Sequence, residues 1–179
     1  MKRKFIQCFL ETFLIKSGRK FGGDQSDNFD DSLLPKFTSV HYLSGIRFSN
    51  LTRIQSCQFI YKSSEDKHSR IESSFHGGYG DKFDSPYKYD LDDDERIGEV
   101  SIKSSLVDFY NASHFPYTKR VVIGLQFLTT KGRSIPPDSY LVGDDVESER
   151  FSGYTLGYVT GNDSLKIDQL QFFWYRTKT

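Results

Sequence analysis

The sequence predicts an all-β fold, and two features of its composition and one of its patterning lead to this prediction. The 179 residues include one alanine, Ala112, but 22 serines, and 16% of the chain is aromatic. Alanine is the best helix former, whereas aromatic side chains suit half-buried pleated surfaces. Short segments that alternate polar and apolar residues, separated by turn-forming residues, recur along the chain. They indicate a sandwich, barrel or prism.

The strands are predicted from this alternation, and no window of helical spacing interrupts them convincingly. The clearest case is the segment from Val121 to Phe127, in which Val121, Ile123, Leu125 and Phe127 share one face. In chain order, the predicted strands are Thr12–Ile15, Val40–Leu43, Ile46–Phe48, Ile54–Lys62, Tyr87–Leu91, Glu99–Ile102, Val121–Thr129, Tyr154–Val159 and Ile167–Tyr175.

The connections between these strands are polar and rich in glycine. Loops are predicted over residues 21–31, 63–74 and 131–150, because glycine, serine, aspartate and asparagine tolerate tight turns. Glycine loops near residues 22 and 77 and over residues 157–161 suggest a threefold internal repeat, although the three segments share little sequence.

Length and charge narrow the classes of protein to consider. The length suits one domain of about 100–200 residues. Lys and Arg together number 24, as do Asp and Glu, so the formal net charge is zero. This balance argues against a general nucleic-acid binder, which carries a cationic excess. No apolar stretch approaches the ~18–20 residues of a membrane span, so none is predicted.

The N-terminus has a basic start, Met1-Lys2-Arg3-Lys4, followed by a mostly apolar segment. Polar residues interrupt that segment, and no small-x-small cleavage site precedes Gly18, so a cleaved signal peptide is disfavoured. A cytoplasmic location is favoured over a secreted one, and the sequons at Asn50, Asn111 and Asn162 are expected to stay unglycosylated. Residues 1–10 are predicted to be a poorly ordered extension.

Two motifs that suggest a bound ion or nucleotide fail on inspection. The segment His76-Gly77-Gly78-Tyr79-Gly80 lacks the Lys-Ser/Thr of a phosphate loop, and no helix follows it. The segment Asp90–Glu95 resembles the start of a calcium loop, but Glu95 replaces the turn glycine and Ser101 replaces the final glutamate. A solvated acidic turn is the better interpretation.

The sequence also contains no motif that is typical of a catalytic site or a metal site. Two cysteines cannot form a disulfide framework or a four-cysteine zinc site, and Cys57 is predicted to be a buried thiol. The four histidines lack metal spacing, and no nucleophile elbow occurs. No cofactor, no metal and no enzymatic activity are therefore predicted. Paired acids for glycoside hydrolysis have no sequence signature, so a hydrolase stays as a third alternative.

The remaining candidate for a binding group is Asp168, which follows the polar loop of residues 160–166. A carboxylate can accept hydrogen bonds on both oxygens and therefore suits two vicinal sugar hydroxyls. The alternative is that Asp168 braces its own turn. The residues alone leave both possibilities open.

Four motifs in order resemble those of the jacalin-related lectins, and together they span roughly residues 11–175. They are Phe21-Gly22-Gly23 with Phe29-Asp30-Asp31, His76–Gly80 with Leu91-Asp92 and Asp94-Glu95, Val122–Arg133, and Gly157-Tyr158 with Gly161 and Asp168-Gln169-Leu170. The resemblance implies the β-prism I fold, in which three four-stranded Greek-key sheets have pseudo-threefold symmetry. It also implies a single lectin domain over residues 11–177.

The resemblance further implies a sugar site at one end of the prism, formed by two loops. The residues that match it are Asp168, Ser164, Leu165, Lys166, Ile167, Gly22, Gly23 and the segment from Gly23 to Asn28, which includes Ser26. Two departures stand out: Ser164 and Gln25-Ser26 replace family glycines. Glycine there permits positive φ and a close approach of the sugar, which serine does not freely supply.

The predicted function is reversible, non-catalytic binding of mannose- or galactose-type glycans or glycoproteins through the loops around Asp168. Homo-oligomerisation is expected to raise the avidity of such shallow sites. The alternative is a protein-interaction or structural β-prism whose sugar site has degenerated.

Overall fold

Three antiparallel sheets make up the fold of this protein in a computed structural model. The structure describes residues 15–24, 26–50, 54–66, 68–78, 87–110, 113–137, 141 and 145–176. The predicted N-terminal extension of residues 1–10 lies outside the described residues. So do Thr12–Leu14 of the predicted first strand and Asn111 of the second sequon.

Each sheet contains four strands. Sheet A has the spatial order β1 (Ile15–Gly22), β12 (Ile167–Arg176), β11 (Tyr154–Asp163) and β2 (Asp27–Asp30). Sheet B has the order β5 (Arg70–Glu72), β4 (Cys57–Ser63), β3 (His41–Phe48) and β6 (Tyr87–Asp90). Sheet C has the order β10 (Val146–Glu149), β7 (Ile97–Tyr110), β8 (Pro116–Thr129) and β9 (Ser134–Ile135).

The same strand order recurs in all three sheets and confirms the predicted Greek-key prism. In sheet C the fourth strand of the unit, β10, returns to lie beside the first, β7, which is the Greek-key order. Sheet B repeats this order with β6 beside β3. Sheet A repeats it with strands from both ends of the chain, since β2 lies beside β11. The predicted threefold repeat of architecture is therefore real, but the glycine segments do not mark it, since Gly22 and residues 157–161 both lie in sheet A and the latter segment lies within β11.

A single core fills the space between the sheets. Phe172 of sheet A contacts Phe21 of the same sheet and Phe127 of sheet C, with ring centroids 6.1 and 6.3 Å apart. Sheet B contributes Phe59 and Tyr61, and both are fully buried. The inward-pointing apolar side chains come mainly from two strands of each sheet: β11 and β12, β3 and β4, and β7 and β8.

The largest departure from the predicted strands is a long hairpin made by β7 and β8. The predicted strands Glu99–Ile102 and Val121–Thr129 are each longer in the structure, and their pairing continues out to Tyr110 and Pro116. The sequence pattern hides this extension because Leu106 and Tyr110 lie on the exposed face while Val107 and Phe109 lie on the other. With apolar side chains on both faces, no alternation is visible.

β1 is longer than predicted, and each of the three predicted loops contains at least one strand. β1 extends to Gly22 rather than ending at Ile15, and only Gly18 and Phe21 of its eight residues are buried, so it lacks an apolar face. β2 lies within the predicted loop of residues 21–31, and β5 within that of residues 63–74. The predicted loop of residues 131–150 contains β9 and β10. The strands within the predicted loops, β2, β5, β9 and β10, are two to four residues long, too short for a period to show in the sequence.

Candidate functional site

The candidate site lies where three segments meet: the end of β1, the start of β12 and the β8 arm of the hairpin. The amide of Gly23 donates to the backbone oxygen of Asp168 over 2.8 Å. Gly22 has φ +101°, and a Cβ there would clash with that same oxygen of Asp168. A Cβ on Gly23 would lie 2.8 Å from the backbone oxygen of Arg120. Only glycine permits both approaches, which explains Gly22-Gly23 at this position.

Asp168 is fully buried in this junction and forms an ion pair with Lys119. Lys119 Nζ lies 2.8 Å from each carboxylate oxygen of Asp168. Only 8% of Lys119 is exposed, so the ion pair is largely shielded from water. A shielded charge without such a partner would be strongly unfavourable, so each charge of the pair compensates the other.

The two oxygens of the Asp168 carboxylate are not equally satisfied. Oδ2 accepts hydrogen bonds from Lys119 Nζ and, over 3.3 Å, from Ser164 Oγ. Oδ1 is as close to Lys119 Nζ, but the direction of that contact is unsuitable for a hydrogen bond. Among the described residues, no donor is directed at Oδ1. The carboxylate therefore has an accepting position left.

The other predicted site residues lie around this carboxylate or next to it in sequence. Ser164 is exposed, and its Oγ lies 3.1 Å from Lys119 Nζ. Leu165 is about half exposed, and Lys166 accepts a bond from the Ser164 amide on its backbone oxygen. Ile167, which begins β12, is buried in the core.

The first predicted loop is fastened to sheet A through Asn162. Its side-chain amide donates to the backbone oxygen of Ser26 over 3.0 Å and to Asn28 Oδ1 over 2.7 Å. Ser26 Oγ is buried, and the described part of the chain gives it no hydrogen-bond partner. Gln25 lies outside the described residues. The structure therefore brings Gly22, Gly23, Ser164 and Asp168 together. Ser26 lies on the same loop as Gly22 and Gly23.

An aromatic surface continues from the ion pair along the hairpin. Lys119 Nζ lies 5.2 Å from the centroid of the Phe109 ring, a cation–π arrangement. Phe109 stacks on Tyr117, with ring centroids 5.5 Å apart. Tyr110 and Phe115, at the far end of the hairpin, are about 70% exposed. Sequence reasoning did not identify Lys119, Phe109 or Tyr117, because only the hairpin pairing brings them to Asp168.

A second buried carboxylate, Asp31, lies between sheets A and B. Tyr61 donates its hydroxyl to Asp31 Oδ2 over 2.6 Å, and His76 Nε2 lies 3.0 Å from Asp31 Oδ1. His76 Nδ1 is 3.7 Å from Asp163, which also accepts the Gly77 amide over 2.6 Å. This cluster links the His76 loop to the strand that enters the candidate site.

Burial and the charges of this cluster shift the pKa values of His76 and Tyr61. Burial opposes the charged form of His76, but hydrogen bonds to Asp163 and Asp31 outweigh it and raise the pKa of this imidazole above its usual value. Burial, and then the charge of Asp31, raise the pKa of Tyr61. Burial likewise raises the pKa of Cys57, whose side chain is fully inaccessible, as predicted for a structural thiol.

Two cations from the turn between β8 and β9, Lys131 and Arg133, form ion pairs with the acidic turn that begins at Asp92. Arg133 forms hydrogen bonds with Glu95 over 2.6 and 3.1 Å, and these lower the pKa of Glu95 to about 2. Lys131 lies 3.0 Å from Asp92 and 2.6 Å from Asp94.

Within the described part of the chain, no group of histidine, cysteine, aspartate and glutamate side chains could hold a metal ion. The described residues also contain no helix able to span a membrane.

Comparisons with known proteins agree with this geometry. The jacalin-like lectin domain model matches residues 18–173, so the chain belongs to the jacalin-like lectin family. A search of curated protein sequences found no match.

Solved structures share the fold at low sequence identity. A mannose-binding jacalin-related lectin from Ananas comosus superposes with a TM-score of 0.65 at 15% identity, covering 91% of this chain and 99% of that one. A mannose-specific jacalin-related lectin from Morus nigra, in complex with mannose, gives 0.64 at 19% identity and covers 90% and 95%. Frutapin, a lectin from Artocarpus incisa, gives 0.66 at 20% identity and covers 90% and 97%.

Proposed function

We propose that this protein binds glycans reversibly, without catalysis, at the junction of the Gly22-Gly23 turn, the Ser164–Asp168 segment and the hairpin. The observation that carries the proposal is the Asp168 carboxylate, which has one oxygen, Oδ1, towards which no described donor is directed. A sugar hydroxyl is a donor of suitable size for this position. Membership of the lectin family and mannose binding by the Ananas comosus and Morus nigra proteins support the same ligand class.

The proposed ligands are mannose- or galactose-type glycans, free or on glycoproteins. The backbone amide of Leu165 and the Asp168 carboxylate would share adjacent hydroxyls of one sugar ring. Polar sites of this kind bind single sugars with Kd values on the order of mM to µM. Homo-oligomers that present several sites would then supply avidity.

A second function deserves a test because Asp168 is fully buried and already paired with Lys119. A carboxylate used for structure would look the same, and the protein would then be a β-prism that binds another protein or serves a structural role. The replacement of two family glycines by Ser26 and Ser164 also favours this alternative.

A glycan array on the purified protein separates these functions. The proposal predicts signals on glycans with terminal mannose or galactose that methyl mannoside or methyl galactoside competes away. The Asp168→Asn variant should lose those signals. An array without specific signals, repeated with the protein multimerised on beads, would favour the protein-interaction function. Release of reducing sugar from any bound glycan would instead identify a hydrolase.

A further inference from the structure

We propose that Lys119 competes with the ligand for Asp168, so that a sugar must displace this lysine to bind. The inference rests on the proposed function and adds a residue that sets the affinity and accessibility of the same site. Lys119 comes from the hairpin, 49 positions before Asp168, and belongs to neither of the loops that the sequence predicts to hold the sugar.

The geometry of the ion pair indicates competition. The ammonium of Lys119 lies 2.8 Å from both Oδ1 and Oδ2, so it sits in front of the carboxylate, between the two oxygens. Two vicinal hydroxyls that shared the carboxylate would approach from the same side. Ser164 Oγ, 3.1 Å from Nζ, gives the ammonium a further acceptor in this closed position. Two of the three N–H donors of the lysine are directed at acceptors, Asp168 Oδ2 and Ser164 Oγ.

The lysine also has a place to go. Its ammonium is carried on a flexible four-carbon stem, and Tyr117, the preceding residue on the same face of β8, is exposed. The Phe109 ring, whose centroid already lies 5.2 Å from Nζ in the paired position, can keep its cation–π contact as the ammonium moves away from Asp168. Displacement therefore needs a rotation of one side chain and leaves the paired strands in place.

Lys119 therefore lowers the affinity of the site for a glycan. A ligand has to replace charge-assisted hydrogen bonds, which are about twice as strong as neutral ones. Removing the lysine should therefore strengthen glycan binding, although Asp168 loses its counter-ion.

The test compares Lys119→Ala with two other variants. Lys119→Arg keeps a cation that can bind the carboxylate. Lys88→Ala removes the same charge from an exposed position on β6 in sheet B. Calorimetric titration with methyl mannoside and methyl galactoside should show Lys119→Ala binding at least ~10-fold more tightly than the wild type. Lys119→Arg should bind no more tightly than the wild type, and Lys88→Ala should match it.

Failure of the inference differs from failure of the proposed function. If the wild type binds and Asp168→Asn does not, but Lys119→Ala binds equally or more weakly, Lys119 is no competitor and the glycan-binding function stands. If neither the wild type nor Lys119→Ala binds any sugar on the array or in titration, the proposed function falls and takes the inference with it.

A measurement on the wild type avoids dependence on the folding of Lys119→Ala. In a sugar titration followed by NMR of the lysine side chains, the Lys119 Cε–Hε signal should move towards that of a solvated lysine as the site fills. A Lys119 signal that stays unchanged while the amide signals of Ser164 and Leu165 shift would show that the sugar does not displace Lys119 from Asp168.

Discussion

Asp31 and Asp168 are both buried carboxylates, but their donors differ in how firmly the fold fixes them. Asp31 is contacted by Tyr61 and His76, ring side chains packed in the interior between sheets. Asp168 is contacted by a lysine at the edge of a hairpin and by an exposed serine. Both oxygens of Asp31 have a partner, whereas the described residues direct no donor at Oδ1 of Asp168. The comparison indicates a structural role for Asp31 and an exchangeable partner for Asp168.

The largest expected effect on stability comes from Asp31→Asn. The substitution keeps the shape but removes the charge and one acceptor oxygen, and leaves Tyr61 or His76 poorly paired. Each unpaired buried group costs about 1–3 kcal/mol, so the free energy of unfolding should fall by about 3 kcal/mol. Calorimetry should show a melting temperature lower by about 6–12 °C. As a control, Asp92→Asn alters a side chain that is 70% exposed and should change unfolding by less than about 1 kcal/mol.

Asp168→Asn should weaken glycan binding strongly and lower stability only slightly, unlike Asp31→Asn. Glycan binding should weaken at least ~10-fold, equivalent to about 1.4 kcal/mol. The free energy of unfolding should fall by only about 1 kcal/mol, because Lys119 can turn its ammonium towards water. A loss of stability equal to that of Asp31→Asn, in the same urea titration, would assign Asp168 a structural role and remove the contrast between the two carboxylates.

Near neutral pH, the pH dependence of stability should originate in the Asp31 region. Because the pKa of His76 is raised in the folded state, its charged form stabilises the fold. That contribution is complete below the usual histidine pKa of 6.5 and is lost as the pH rises through the raised value. Chemical unfolding on both sides of this window should show the loss in the wild type and a smaller one in His76→Gln. Equal slopes for the two proteins would contradict the assignment to His76.

The smallest effects are expected at the two serines that replace family glycines. Ser164→Gly should lower stability by about 0.4–1 kcal/mol, since glycine adds freedom to the unfolded chain. It also removes an acceptor of Lys119 and should strengthen hexose binding several-fold. Ser26→Gly removes a buried hydroxyl that no described residue pairs, so its effect on stability should be smaller still. Weaker binding in Ser164→Gly would make the hydroxyl part of the site.

The strong alternation of the core-facing strands sufficed to predict an all-β fold, and the resemblance to the jacalin-related lectins supplied the prism of three sheets. Segments such as Val121–Thr129 carry that signal within a few residues. β1 and the outer half of the hairpin escaped prediction, because β1 lacks an apolar face and the hairpin has apolar side chains on both faces.

The candidate site was predictable only where a local motif marks it. Asp168 and the Gly22-Gly23 turn lie in motifs that the resemblance covers. Lys119 and the Asp31–His76 contact depend on pairings across 49 and 45 positions, and no local pattern reports such distances. The residues that decide how accessible Asp168 is to a ligand therefore came from the structure alone.

The most direct test of the account is an NMR titration of the ¹⁵N-labelled wild type with methyl mannoside and methyl galactoside, followed residue by residue. Glycan binding at Asp168 predicts saturable shifts of the amides of Gly22, Gly23, Ser164 and Leu165, with those of Asp31 and His76 unmoved. Saturable shifts confined to another surface, or no shifts at sugar concentrations well above about 1 mM, the weak end of the expected Kd range, would contradict it.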